Sequence, residues 1–153
     1  MIEYSNNDVP YGIQYTLSYA GLVPLRSQNV FYNRQTANFI FEAKQLNQFA
    51  KNVLMSREDT EYVFEWTSGT TVQIANYSNA KLVCRSGKFY SAATPHPKLG
   101  GRSMDLNCDS FSNGILKGKN KYTILQQYGL ALRLEHQSSA DKEIYTIASV
   151  DIL

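Results

Sequence analysis

Histidine and cysteine are scarce in this chain, two of each among 153 residues, and there is one tryptophan and only four prolines. Two cysteines, Cys84 and Cys108, with two histidines cannot make a zinc knuckle or cluster, whose ligands come in closely spaced sets. The cysteines read as buried or free thiols of a reducing compartment, with one disulfide between them as the other possibility. No run nears the ~18 apolar residues that a membrane-spanning helix needs. The opening MIEYSNNDVPYGIQY has neither a basic region nor an apolar one, so no signal peptide is expected and a cytoplasmic setting is the default. Walker, G-x-G-x-x-G and G-x-S-x-G motifs are lacking, which removes the usual nucleotide cradles and the nucleophile elbow. His96 lies between two prolines and reads as a surface loop residue. His136 ends an expected strand, where it is exposed or caps. Asp105 and Asp109 have no third ligand nearby. The expectation leans towards a non-enzymatic protein without cofactor or metal.

What is abundant is tyrosine, 11 residues, in a chain 43% hydrophobic and 18% charged. That composition supports one packed domain over residues 1–153 without stretches of low complexity. The net charge is only +2, but it is unevenly spread. Between Lys81 and Lys121 eight cations meet only Asp105 and Asp109, while Glu58, Asp59, Glu61 and Glu65 crowd one short stretch. Such asymmetry suits an anionic partner for one face.

Alternation of apolar and polar residues predicts strands in YGIQYTLSY, TEYVFEW, SMDLNC, YTILQQ, GLALRLEHQ and EIYTIASVDIL. In TEYVFEW, Tyr62, Phe64 and Trp66 share one face. In LALRLEH, Leu130, Leu132 and Leu134 share one. SGT, YSNA and RSGK read as turns, and TPHPKLGGR as an irregular loop, since Pro95 and Pro97 lack ladder donors and Gly100-Gly101 permit positive φ. One amphipathic helix is expected at about 43–55, with Leu46, Phe49, Ala50, Val53 and Leu54 on a single stripe. The fold class is mainly β, a β-sandwich, with that helix.

Two resemblances bear on function. TTVQIANYSNAKLVCRSGKFYSAATPHPKLGGRS, with its Asn76-x-Ser78 turn, Arg85-Ser86-Gly87, Pro95-His96-Pro97-Lys98 and Gly100-Gly101, resembles the core of the actinoporin-like (cytolysin/lectin) β-sandwiches. NGILKGKNKYTILQQYGLALRLEHQ is similar to their glycine-led strand pair, and the likeness spans residues 43–137. It implies a module binding phosphocholine-type lipid headgroups or glycans, with Arg85-Ser86 at the ligand-facing edge. AGLVPLRSQNVFYN resembles a turn-and-strand of the RNA 2′-phosphotransferase and ADP-ribosyltransferase group, which implies NAD chemistry and points to Arg26.

The residues themselves give a basic, aromatic loop edge. Arg85 and Lys88 flank one turn, Lys98 and Arg102 flank the Pro/Gly loop, and Tyr77, Ser86 and Tyr90 lie among them. A guanidinium holds phosphate in bidentate fashion and an ammonium adds a point charge. Neighbouring aromatics suit lipids, sugars or unstacked bases. The leading expectation is a binding module for an anionic or zwitterionic ligand, lipid headgroup or glycan. The alternatives are a small intracellular viral or mobile-element accessory protein that binds nucleic acid or a protein partner, an NAD-consuming enzyme, and a structural subunit whose edge strands pair in a homo-oligomer.

Overall fold

The computed structural model of the chain describes residues 2–6, 9–31, 37–43, 57–70, 73–147 and 150. The described chain is mainly β, as its alternating patterns require. The strands are β1 (Ile2–Asn6), β2 (Val9–Tyr19), β3 (Val23–Phe31), β4 (Ala37–Ala43), β5 (Glu61–Thr70), β6 (Gln73–Ser91), β7 (Arg102–Ser112), β8 (Ile115–Leu125), β9 (Leu130–Ser138) and β10 (Lys142–Ile144). They form one antiparallel sheet in chain order. The second sheet of the expected sandwich is not among the described elements. The expected helix at 43–55 falls on residues outside the description, save Ala43, which ends β4 opposite Trp66.

β6 departs most from the sequence reading. It runs for 19 residues through two expected turns, YSNA and RSGK. Asn79 stays extended because both its backbone groups find partners at the β7–β8 hairpin: Asn79 N–H donates to Asn113 Oδ1 (2.8 Å) and Asn113 N–H donates to Asn79 O (2.7 Å). At RSGK the strand absorbs its glycine as a bulge, a register shift between Ser86 and Phe89 against β7. A bulge adds a residue to one strand and bends it without ending the pairing.

The core lies on one face. Tyr62, Phe64, Leu82, Met104, Leu106, Tyr122, Ile124 and Ala131 are buried together, with Trp66 and Phe89 packed against them. This confirms the face read for Tyr62, Phe64 and Trp66. In β9 it is Ala131, rather than Leu130 or Leu132, that points into this core. Leu132 instead joins a smaller cluster on the opposite face, where Ala92, Leu99 and Leu125 pack with Tyr128, Ile147 and Val150. The irregular loop between Ala92 and Gly101 thus covers one end of the outer face, as Pro95, Pro97 and the two glycines foretell.

Leu22 and Val23, at the turn between β2 and β3, are buried in the same core as β5–β9. Ala131 N–H donates to Ala20 O at 2.8 Å. β2 and β3 lie far from β9 in the strand order, so the sheet must curl until the β2–β3 turn seats on β9.

Cys84 and Cys108 stand directly opposite in the β6–β7 ladder, with Cα atoms 3.9 Å apart, and they form a disulfide. The free-thiol reading is corrected: register, not sequence spacing, brings the sulfurs together.

Candidate functional site

The cations of residues 81–121 divide among three places. Lys88, Lys98 and Arg102 lie at the end of the sheet that carries the β6–β7 loop. Lys81, Lys117 and Lys119 sit towards the opposite end, near the 113–114 turn, where Lys81 pairs with Glu65 (3.8 Å). Arg85 and Lys121 occupy the outer face between the two ends, where Lys121 pairs with Asp105 (2.8 Å). The cause is topological: a hairpin returns its second strand to the starting end, so β8 opens a full strand length from the β6–β7 loop.

Of the candidate residues, Lys88 and Arg102 come together. Arg102 lays its guanidinium over the Phe89 ring, 4.4 Å from the centroid, and remains exposed. Lys88 pairs with Asp59 and with Glu58 (3.5 Å), and the Asp59 hydrogen bond, then its charge and that of Glu58, hold the ammonium pKa above its usual value. Glu58 also accepts from Phe89 N–H at 2.8 Å. Glu58 and Asp59 of the acidic stretch are therefore part of the same cluster.

Ser86 is structural. It is 3% exposed, its Oγ donates to Arg57 O (2.5 Å), and it accepts from Thr60 N–H (2.9 Å). It fastens the 57–60 segment to β6 and so places Glu58 and Asp59 beside Lys88. Tyr90 turns away across the outer face, donating to Asp105 Oδ1 (2.5 Å), with Thr123 Oγ1 at 2.7 Å. Arg85 stands exposed on that face, opposite Glu61 and Asn107. Lys98 is exposed on the Pro/Gly loop, which is pinned by Gly100 N–H donating to the Tyr128 hydroxyl (3.1 Å) and by Leu99 N–H donating to His96 O (3.0 Å). Lys98 N–H also donates to His96 Nδ1 (3.3 Å), so His96 serves the loop's own geometry. The side chain of Tyr77 lies outside the described residues, as does that of Arg26 in β3.

Burial, then the Asp105 hydrogen bond, pushes the Tyr90 phenol up to about 12. Raised above its unfolded value, this group stabilises the fold fully below pH ~10, and that contribution is lost as pH rises towards 12. In an alkaline titration followed by tyrosinate absorbance, Tyr90→Phe should remove a late-ionising step. A profile unchanged in the range above pH ~10 would show Tyr90 to be an ordinary surface phenol.

Sequence reasoning missed two polar groupings. His136 Nδ1 lies 2.8 Å from Oδ1 of the buried Asn120. Arg133 stacks on Tyr145 (4.9 Å to the centroid) and donates to its hydroxyl at 2.9 Å, while that hydroxyl donates to Glu143. Both cross between neighbouring strands or from strand to tail, and only the register could have shown them. Among the described residues no three His, Cys, Asp or Glu side chains gather as a metal site would, and no helix is long and apolar enough to cross a membrane.

Comparison of the chain with models of known families, with curated proteins and with solved structures returns no match.

Proposed function

We propose that the chain is a non-enzymatic binding module that takes an anionic or zwitterionic group, carried by a lipid headgroup or a glycan, at the β6–β7 loop end. The observation that carries this reading is Arg102. Its guanidinium is held flat by the Phe89 ring, remains exposed, and has no ion-pair partner among the described residues. A stacked guanidinium keeps its N–H edge free for a phosphate, sulfate or carboxylate and loses little freedom on binding. Lys98 adds positive charge from a pinned loop. The Glu58–Asp59–Lys88 group beside Phe89 supplies carboxylates within the same cluster, an arrangement that suits a headgroup bearing both signs. The sandwich resemblance points to the same ligand classes. A nucleic-acid track would call for cations in one continuous line, whereas these divide among the loop end, the outer face and the 113–114 end, with the carboxylates of β5 and β7 between them.

Vesicle co-sedimentation tests the lipid arm, with phosphatidylcholine and phosphatidylglycerol vesicles compared, and a glycan array tests the other. Arg102→Ala should weaken binding roughly tenfold, the worth of one charge-assisted contact. Arg102→Lys should recover only part, because an ammonium cannot bind in bidentate fashion. Wild-type binding by Arg102→Ala, or no binding in either arm, overturns the reading.

A further inference from the structure

The outer face of β5–β8, beyond the part covered by the 92–101 loop, alternates in charge strand by strand. β5 presents Glu61 and Glu65, β6 presents Lys81 and Arg85, β7 presents Asp105 and Asp109, and β8 presents Lys119 and Lys121, with Lys117 at its bulge. Part of this pattern is satisfied within the sheet, by Lys81–Glu65 and Lys121–Asp105. Glu61, Arg85, Asp109, Lys117 and Lys119 have no ion pair among the described residues and are exposed. Apolar side chains lie among them: Val63 is 49% exposed and Leu116 52%, and Val83 and Phe111 line an open groove of ≈ 460 Å³ with the Glu65–Lys81 pair.

We infer that this face docks a second copy of the chain, face to face, about a two-fold axis running along the strands between β6 and β7. That axis sets β5 of one copy over β8 of the other, and β6 over β7. Every strand then meets one of opposite sign: within the shared register rows Glu61 comes over Lys121, Glu65 over Leu116 beside Lys117, and Arg85 over Asn107, with Asp105 and Asp109 one row to either side. An isologous interface must be complementary to itself, and alternation with an even number of strands satisfies that condition. The same contact covers Val63, Val83 and Leu116, and it stacks two sheets about 10 Å apart, as in aligned β-sandwiches. Four strands span only about 15 Å, so the contact is small for a stable interface and depends on charge. The face is separate from the Arg102 cluster, and the inference stands without the ligand reading.

Analytical ultracentrifugation of the full chain over a concentration series tests it. The expected result is a reversible monomer–dimer equilibrium that shifts towards monomer as salt rises from about 0.05 M to about 0.5 M. Glu61→Lys with Glu65→Lys, and separately Lys117→Glu with Lys119→Glu, should each weaken self-association roughly tenfold or more. The two variants mixed should associate again, because one then carries only cations on its outer strands and the other carries carboxylates there, save Lys121, which Asp105 holds within the sheet. Circular dichroism confirms that each variant is folded. A wild-type chain monomeric throughout, variants that dimerise unchanged, or a mixture that fails to associate overturns the proposal.

Discussion

Reducing the Cys84–Cys108 bond should lower the stability of the native chain by about 3 kcal/mol, the loop-closure value for a crosslink of this length. The two residues are 24 apart in sequence, and the enclosed segment carries the whole 92–101 loop. In the unfolded chain the bond keeps that loop closed, and in the folded chain the ladder already holds the two strands in register. The effect therefore falls mainly on the unfolded ensemble. Urea denaturation with and without reductant reads it directly: at a slope of about 2 kcal/mol/M, the midpoint falls by roughly 1.5 M. Thiol titration in denaturant without reductant should find no free cysteine. Both sulfurs sit in the core, with Cys84 at 0% and Cys108 at 3% exposure, so Cys84→Ala with Cys108→Ala keeps small apolar groups there and should match the reduced protein. An unchanged midpoint, or two titratable thiols, would show that the pair is not bonded. A bond of this kind persists in oxidising surroundings, against the reducing compartment that a count of two cysteines first suggests.

The chemistry of the loop end and of the outer face depends on the same β6–β7 ladder that the disulfide crosslinks. Cys84 and Arg85 are neighbours that point to opposite faces, so the register that joins the sulfurs also sets Arg85 opposite Asn107. A slip by one residue would exchange the two faces of the strand. The bulge after Ser86 then re-aims the chain, so that Phe89 packs on the core and receives Arg102 while Tyr90 crosses to Asp105. Fold and candidate site are thus set by one pairing.

Period-two alternation made the strand character legible, and it placed Tyr62, Phe64 and Trp66 on the core side because β5 is regular from Glu61 to Thr67. It failed where regularity breaks. In β9 a register shift falls between Lys121 and Tyr122 of the neighbouring strand, and both faces of β9 find apolar cover, so hydrophobicity alone could not say which was the main core. Asn, Ser and Gly in YSNA and RSGK carry turn propensity, but partners across the sheet overrule it: Asn79 pairs with Asn113, 34 positions away, and Arg85 and Ser86 pair with Asn107 and Leu106. Asn113-Gly114, absent from the turns read above, forms the hairpin between β7 and β8, both residues with positive φ (49° and 80°), as the tight hairpin turn requires. For the site, the sequence marked Lys88 and Arg102 as charges. It could not show that Glu58 and Asp59 join Lys88, nor that Lys117 and Lys119 leave for the far end, because both facts follow from strand pairing.

Gly21→Ala should be the most damaging small substitution among the described turns, costing roughly 3 kcal/mol or more. Two effects combine there. Gly21 holds φ +73°, in the left-handed region, which costs alanine about 1 kcal/mol. In addition, a Cβ at Gly21 would lie 2.0 Å from the carbonyl oxygen of Ala131. That oxygen belongs to the backbone of a paired strand and has no rotamer in which to retreat. The hairpin would have to lift from β9, breaking the bond from Ala131 N–H to Ala20 O (2.8 Å) and exposing Leu22 and Val23, which are 3% and 0% exposed. Gly114→Ala provides the internal control: its φ is +80°, but nothing lies within 4 Å of its added Cβ. It should cost only the conformational part, about 1 kcal/mol. Thermal or urea unfolding of the two variants separates backbone strain from steric exclusion. Equal costs would mean that the β2–β3 turn does not seat on β9 and that the sheet does not close there; a clear excess at Gly21 establishes that contact as a structural fastening of the curl.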